Sequence, residues 1–331
     1  MNVFSIVILS FFYTYSLILF YIAFLAKSKG EKKAFINNFV NALVLVISLT
    51  INMEIHFFLN TPYNEFIVFP FDLLMISFIG IFFPIFSLFM FREKNKNKNR
   101  KETDIKPHIQ LPLKYDIYRK LTHLVVLGII FSYFTLGFNI NGDKMYFSQN
   151  LVIFLVGISL IGLLTAEFIR ILNPEIYPLK QVNQILREKE LHMRFGPHIS
   201  MSIGCFSIIL LFGLIQPIGP VVICTAMTMA IFGDIASNLI GRLIGKTNIR
   251  NTNKTYEGLL AGMAVSFTSG IIILILLRSF YDPSILGFFL IPILGALIIG
   301  GIDYLDFEID DNLTFNFILS TVLFFISFFF L

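Results

Sequence analysis

The feature that most constrains this chain is a series of apolar windows, each about 20 residues long, which is the length a helix needs to cross a bilayer. Ten such windows fall along the 331 residues, near 3–26, 35–59, 65–91, 120–139, 147–172, 198–216, 218–241, 258–278, 284–302 and 313–331. Segments of this kind must be helical, because no water satisfies their backbone groups inside the bilayer. The sequence therefore predicts an all-α, polytopic membrane protein with about ten transmembrane helices.

Composition excludes a soluble domain, since 56% of the residues are hydrophobic and only 14% are charged. The first window is too long for the core of a cleaved signal peptide and has no basic stretch before it, so we expect a retained span. Cys205 and Cys224 both lie in apolar runs. They are predicted to be small core residues that report nothing about redox compartment.

Lysine and arginine predict the orientation. If loops are assigned alternately to the two sides, all but two of the 25 basic residues, Lys144 and Arg278, lie on one side. Basic loops face the cytoplasm, so this asymmetry places the N-terminus outside. The loops on the cytoplasmic side are 27–34, 92–119, 170–197, 242–257 and 303–312.

A change in composition divides the chain into three regions. Residues 1–91 form an N-terminal accessory region of three predicted transmembrane helices, and 92–118 form a basic cytoplasmic linker that is too polar to fold. Residues 119–331 form the transmembrane region that carries the motifs below. Anionic headgroups account for the basic linker, so no nucleic-acid partner is predicted. Glu54 and Asp72 are acids within the predicted membrane segments of the first region, and no site is assigned to them.

The most informative stretch runs from Gly233 to Gly262. It begins inside an apolar window with Asp234, a carboxylate whose ionisation is costly there unless a cation or a wet cavity is beside it. In a helix, Asp234, Ser237 and Gly241 share one face with Gly245. The two glycines have two interpretations, close packing of helices or bare N–H groups for a ligand, and the sequence leaves both open.

Cations follow that helix: Arg242, Lys246, Arg250 and Lys254. They are suited to holding a polyphosphate, and equally to touching lipid headgroups. Arg119 and His123, with Lys120 between them, open the fourth window and share a helical face.

The loop 303–312 carries five acids, which form either a solvated turn or, together with Asn312, a site for a hard cation such as Mg²⁺.

These elements resemble a known family. Gly233-Asp-x-x-Ala-Ser, then Gly241-x-x-x-Gly245 and Lys254-Thr-x-Glu-Gly258, is similar to the central motif of membrane-embedded lipid-alcohol kinases that use CTP. This family includes dolichol/polyprenol kinase, phytol kinase and the CTP-dependent diacylglycerol kinase. Arg119-Lys-x-x-His123 is similar to the opening motif of the family, and Asp311-Asn-Leu-Thr314 to its closing motif. Leu259 and Asn316 depart from the pattern, at positions where a small hydroxyl residue and a proline are expected.

The resemblance implies a seven-helix catalytic core in residues 119–331, and transfer of the γ-phosphoryl group of CTP to a lipid alcohol, dolichol or polyprenol first, at the cytoplasmic face. It implies Mg²⁺ as cofactor, with CTP, the lipid alcohol and the bilayer as partners. The implied catalytic residues are Asp234, Lys254, His123 and Arg119. The implied nucleotide and phosphate ligands are Lys120, Ser237, Gly241, Arg242, Gly245, Lys246, Thr255, Glu257 and Gly258. The implied metal ligands are Asp234, Asp310, Asp311 and Asn312.

Two alternatives stay open. A cytidylyltransferase that makes a CDP-lipid would need the same CTP, Mg²⁺ and membrane acid, and would differ in its products. A transporter would use intramembrane acids such as Glu54, Asp72 and Asp234 to line a path. The motif residues gather at one edge of the predicted membrane region, which favours an interfacial enzyme.

Overall fold

A computed structural model describes residues 2–58, 65–97, 113–132, 143–215, 218–250, 252, 254–278 and 283–330. Every secondary-structure element within these ranges is a helix. Eight of the described helices are long and apolar enough to cross a membrane. The part of the chain that the structure describes is thus all-helical, with the architecture of a multi-pass membrane protein.

The helices are α1 (Val3–Ser28), α2 (Lys32–Phe58), α3 (Phe71–Asn97), α4 (Leu113–His123), α5 (Val126–Ser132), α6 (Asp143–Leu172), α7 (Glu188–Leu191), α8 (Pro197–Phe212), α9 (Ile218–Ile244), α10 (Tyr256–Leu277), α11 (Ile285–Leu305) and α12 (Asp311–Phe330). Two 3₁₀ turns, Pro174–Ile176 and Lys180–Ile185, lie between α6 and α7.

Two of the ten predicted windows coincide with shorter helices. The fourth window, 120–139, falls on α4 and α5, which are separated by a turn at residues 124–125, and its last residues lie outside the described ranges. The sixth corresponds to α8, whose 16 residues fall short of a full span. Residues 98–112 of the predicted linker also lie outside the described ranges. The count of ten and the three predicted regions remain predictions.

The described chain forms two compact units. The first contains residues 1–122 and 153–203, and it includes the packed helices α1, α2 and α3. Asp72 is buried there, and it accepts a hydrogen bond from the Asn2 amide at 2.8 Å. Glu54 is exposed on α2. The carboxylate of Asp72 is therefore satisfied by a polar side chain of the same unit.

Asparagines on α2 hold a distant segment of the same unit. The Asn38 side chain donates to the carbonyl of Met193 at 2.7 Å and accepts from the backbone N–H of Phe195 at 3.1 Å. The Asn41 amide donates to Ser200 Oγ at 3.2 Å. These three residue contacts fix residues 193–200 against α2.

The second unit contains residues 123–152 and 204–331, and α9 contacts α5, α10, α11 and α12 within it. Helices α9 and α10 pack closely against each other where both carry small residues, Ser237 on α9 and Gly258 and Gly262 on α10. A Cβ atom added at Gly262 would lie 2.9 Å from Ser237 Cβ, and one at Gly258 would lie 2.6 Å from the Ser237 carbonyl oxygen. Only glycine permits this backbone separation, as in small-xxx-small packing of membrane helices.

Gly262→Ala should therefore destabilise the second unit by about 1–3 kcal/mol, because the added methyl group meets rigid atoms of α9. Gly301→Ala is the matched control, since a Cβ at Gly301 in α11 meets nothing within 4 Å. That control should be neutral or stabilising by up to about 1 kcal/mol. Unfolding of the purified variants in detergent measures both effects, and equal stabilities would refute the close α9–α10 contact.

Candidate functional site

The candidate site lies in the second unit, where four consecutive transmembrane helices begin or end. Short connections join α9 to α10 and α11 to α12, so the C-terminal ends of α9 and α11 are adjacent in sequence to the N-terminal ends of α10 and α12. Polar side chains from all four ends meet here. The site is therefore built at the rim of an apolar bundle.

Lys254 is the centre of this site. Its Nζ lies 3.0 Å from Asp303 Oδ1, 3.0 Å from Asp306 Oδ1 and 3.0 Å from Asp311 Oδ2. The lysine side chain is 25% exposed. We call Lys254 and these three acids the lysine–carboxylate cluster.

The electrostatics of the cluster keep the lysine charged. Burial by itself would lower the pKa of Lys254, but Asp311, Asp303 and Asp306 outweigh burial and raise the pKa above its ordinary value. The ammonium group therefore stays protonated at physiological pH. Three carboxylates against one ammonium leave the cluster two negative charges in excess when all four groups are ionised.

The connection between α9 and α10 is folded so that it presents Lys254. The N–H of Ile249 donates to the Lys254 carbonyl at 2.8 Å, and the N–H of Tyr256 donates to the Thr247 carbonyl at 2.9 Å. Ile249 is 1% exposed and anchors this loop. Thr255 caps α10 by accepting from the Gly258 N–H at 3.2 Å.

Gly241 and Gly245 accommodate that cap. A Cβ atom at Gly241 would lie 3.0 Å from Thr255 Oγ1, and one at Gly245 would lie 2.7 Å from Thr255 Cγ2. The structure thus gives these glycines, like Gly258, a packing role, which is one of the two interpretations of the sequence. Phosphate binding by their N–H groups stays a prediction.

The end of α11 supplies two carboxylates of the cluster. Asp303 is buried, and its Oδ2 accepts from the Ser237 hydroxyl at 2.6 Å, which ties α11 to α9. Asp306 ends the helix in the left-handed conformation with φ 46°. Arg250 stacks over the Tyr304 ring at 4.6 Å.

Asp234 lies one helical turn before Ser237 on α9, so the two side chains are neighbours on that helix. Its Oδ2 is 3.5 Å from Nδ1 of His123, whose side chain is 3% exposed. The other ring nitrogen, His123 Nε2, is buried and has no hydrogen-bond partner among the described residues. This pair therefore presents one unused imidazole nitrogen.

The start of α12 is capped by its own residues. Asp310 Oδ1 accepts from the backbone N–H of Asn312 at 3.0 Å and from its side-chain amide at 2.7 Å. Asp311, the next residue, points its Oδ2 at Lys254 instead. The two consecutive acids thus have different partners.

The other predicted site residues lie on α4 and around the connection between α9 and α10. Arg242 and Lys246 are exposed, and Glu257 accepts from the Thr247 hydroxyl at 3.1 Å. Arg119 belongs to the first unit, where it is buried with its Nη1 3.7 Å from Glu190 Oε1. Lys120 is half-buried on α4.

The predicted metal ligands do not form one group. Among the described residues, no set of three or more His, Cys, Asp and Glu side chains is placed to hold a metal ion. The oxygens of Asp303, Asp306 and Asp311 are of the donor type that Mg²⁺ prefers, but in this structure the Lys254 ammonium lies at their centre. Metal binding by Asp234, Asp310, Asp311 and Asn312 stays a prediction.

Asp303 and Asp306 are members of the cluster that the sequence did not single out. Both belong to the acidic loop that predicts a cation site, but the resemblance implies Asp310 and Asp311 as the metal ligands. The signal that could have found them is their spacing of three residues at the end of an apolar helix, which puts both on one face.

Comparison of the chain with family models, with curated proteins and with solved structures finds no match.

Lys254→Met should destabilise the second unit by about 1–3 kcal/mol, because it leaves three converging carboxylates without their cation. Millimolar Mg²⁺ should recover most of that loss in the variant and change the wild type little. Lys246→Met is the control, since Lys246 is exposed in the same loop and its loss should cost less than about 0.5 kcal/mol. Thermal unfolding with Mg²⁺ or EDTA makes the comparison, and a Mg²⁺ response equal in all three proteins would refute the cation site.

Proposed function

We propose that this protein is a membrane-embedded kinase that transfers the γ-phosphoryl group of CTP to the hydroxyl of a lipid alcohol, with dolichol or polyprenol as the first candidate. The observation that carries the proposal is the juxtaposition of the lysine–carboxylate cluster, through Ser237, with the His123–Asp234 pair. Phosphoryl transfer needs mainly positioning and charge neutralisation, and this site offers both.

The cluster is suited to a nucleotide donor. Lys254 carries a fixed positive charge, and Arg242, Lys246 and Arg250 add exposed cations near the same loop. A triphosphate would attract Lys254 away from one or more of its carboxylates. The freed carboxylates, Asp303, Asp306 and Asp311, would then hold Mg²⁺, which neutralises the charge of the phosphates when bound.

The His123–Asp234 pair is suited to the acceptor. Asp234 orients the ring through Nδ1, so that the unused Nε2 is free to take a proton. In the proposed step the hydroxyl oxygen of the lipid bonds to the γ-phosphorus of CTP while the bond from that phosphorus to the β–γ bridging oxygen breaks. CDP leaves with the electron pair, and the hydroxyl proton passes to His123 Nε2.

The surroundings of the site agree with a lipid substrate. It lies at the ends of apolar helices, which lets a long hydrocarbon chain stay in the bilayer while its hydroxyl reaches the polar residues. The basic loops support a cytoplasmic site, where CTP is available. We further propose that CTP is the donor, that a polyprenol is the acceptor and that residues 119–331 form a seven-helix core.

The decisive assay incubates the purified protein with γ-labelled CTP or ATP, Mg²⁺, and polyprenol, phytol or diacylglycerol in mixed micelles. Asp234→Asn, Lys254→Ala and His123→Gln should each lower the rate of lipid phosphorylation by about a hundredfold or more, since each removes a charge or proton acceptor at the reacting groups. Arg278→Gln, at the opposite end of α10, is the matched control and should retain full activity.

Wild-type protein that phosphorylates none of these lipids with either nucleotide would refute the proposed function. Retained activity in Asp234→Asn or Lys254→Ala would remove those residues from the site. Monodisperse elution and an unfolding midpoint well above the assay temperature are required of each variant, so that lost activity is not lost structure.

The products separate the kinase from a cytidylyltransferase. Lipid kinase activity yields CDP and a lipid monophosphate, whereas a cytidylyltransferase would yield pyrophosphate and a CDP-lipid from a lipid phosphate. We therefore expect the label of γ-labelled CTP in the lipid fraction. Release of labelled pyrophosphate on addition of a lipid phosphate would instead support the alternative.

A further inference from the structure

A second polar structure lies in the first unit, in the segment Leu191–Gly196, which begins at the last residue of α7. Arg170 on α6 donates from Nη1 to the Leu191 carbonyl at 3.1 Å and from Nη2 to the Arg194 carbonyl at 3.0 Å. The Gly196 N–H donates to Glu167 Oε1 at 2.8 Å. Asn38 binds the carbonyl of Met193 and the N–H of Phe195. Five backbone groups of six residues are thus held by buried side chains.

The side chains that hold the segment are themselves fixed. Glu167 and Arg170 form a bidentate pair with distances of 2.7 and 2.8 Å, and both are buried. This arrangement fully satisfies two charges that would otherwise be costly to bury. We call Asn38, Glu167 and Arg170 the cradle. Because the cradle holds the backbone of the segment, it also fixes the position of a side chain that projects from it.

The side chain that projects from the segment is that of Arg194, a residue that is 5% exposed. Its Nε is buried without a hydrogen-bond partner, and among the described residues no carboxylate pairs with the guanidinium. A buried charge in this state is unfavourable unless a ligand compensates it.

The charges of the surrounding side chains also leave the positive charge of Arg194 uncompensated. The buried, described charged groups around the cradle are the guanidinium groups of Arg119, Arg170 and Arg194 and the carboxylates of Glu167 and Glu190. Arg170 pairs with Glu167, and Arg119 lies 3.7 Å from Glu190. Among these described groups, three positive charges face two negative ones, and the excess charge is on Arg194.

We propose that Arg194 is the anchor of an anion-binding site in the first unit, and that the site takes a phosphate group. The planar fork of a guanidinium matches phosphate oxygens, and the bound anion would supply the missing charge. The segment lies in the connection between α6 and α8, at the end of apolar helices, so the phosphate can come from a lipid headgroup or from a free phosphate compound. This site goes beyond the proposed function and does not depend on it.

The test measures thermal unfolding of the full-length protein without CTP or lipid alcohol. One arm titrates inorganic pyrophosphate in uncharged detergent against sodium chloride of equal ionic strength. The other compares nanodiscs of phosphatidylcholine alone with nanodiscs that also contain phosphatidate. A rise of the wild-type unfolding midpoint in the first arm identifies a free phosphate ligand, and a rise only in the second arm identifies a lipid phosphate.

Arg194→Met should abolish the rise, and Arg194→Lys should weaken the apparent affinity by about tenfold or more, because the ammonium lacks the guanidinium fork. Arg92→Met, on an exposed arginine of α3, is the control and should respond like the wild type. Without anion, Arg194→Met should unfold at or above the wild-type temperature, since it removes an uncompensated buried charge.

Two outcomes would overturn the site. In one, the wild type responds no more than Arg194→Met in both arms. In the other, Arg194→Met fails to fold or unfolds at a lower temperature without anion, which would show that the guanidinium is structural.

Discussion

The cost of holding charge beside hydrocarbon is the constraint on which the rest of this structure depends. An isolated ion in an apolar environment is strongly disfavoured, so buried charges must be paired or hydrogen-bonded. Lys254 lies among three carboxylates, and Glu167 forms a bidentate pair with Arg170. Both sets lie near the ends of transmembrane helices. At the lysine–carboxylate cluster, charge compensation therefore links the start of α10 to the end of α11 and the start of α12.

Helix packing and charge placement are coupled through Thr255. Its side chain caps α10 and fits against Gly241 and Gly245, so the close approach of α9 and α10 fixes where α10 begins. Lys254 immediately precedes the cap, and its position follows from that of the helix. The small residues thus contribute to the site by geometry, without needing to bind a ligand themselves.

The two polar structures differ in how they are balanced. The lysine–carboxylate cluster has more negative than positive groups and is partly exposed, which suits exchange of its lysine for another cation. The cradle around Arg194 has an excess positive charge and is buried. One is therefore suited to a cation and the other to an anion. The N-terminal helices contribute to the second through Asn38, which gives residues 1–91 a structural part in the first unit.

Much of the fold was predictable, because periodicity and hydrophobicity are local properties. The apolar windows predicted the helices, and eight of the described helices are long and apolar enough to span a membrane. The prediction that Cys205 and Cys224 are core residues is confirmed, since both are free and buried. The windows at 120–139 and 198–216 predicted full-length spans, and the structure has shorter helices there. Average hydrophobicity does not detect the turn between α4 and α5 or the short length of α8.

The sequence by itself determined the class of the protein, the helices and the face that Asp234 and Ser237 share, because these follow from composition and from the spacing of residues along one helix. Only the tertiary structure decided that Lys254 meets Asp303, Asp306 and Asp311, and that Asn38 holds the segment carrying Arg194. Such contacts join residues far apart in the chain. Their partners depend on how whole helices pack, which no local pattern specifies.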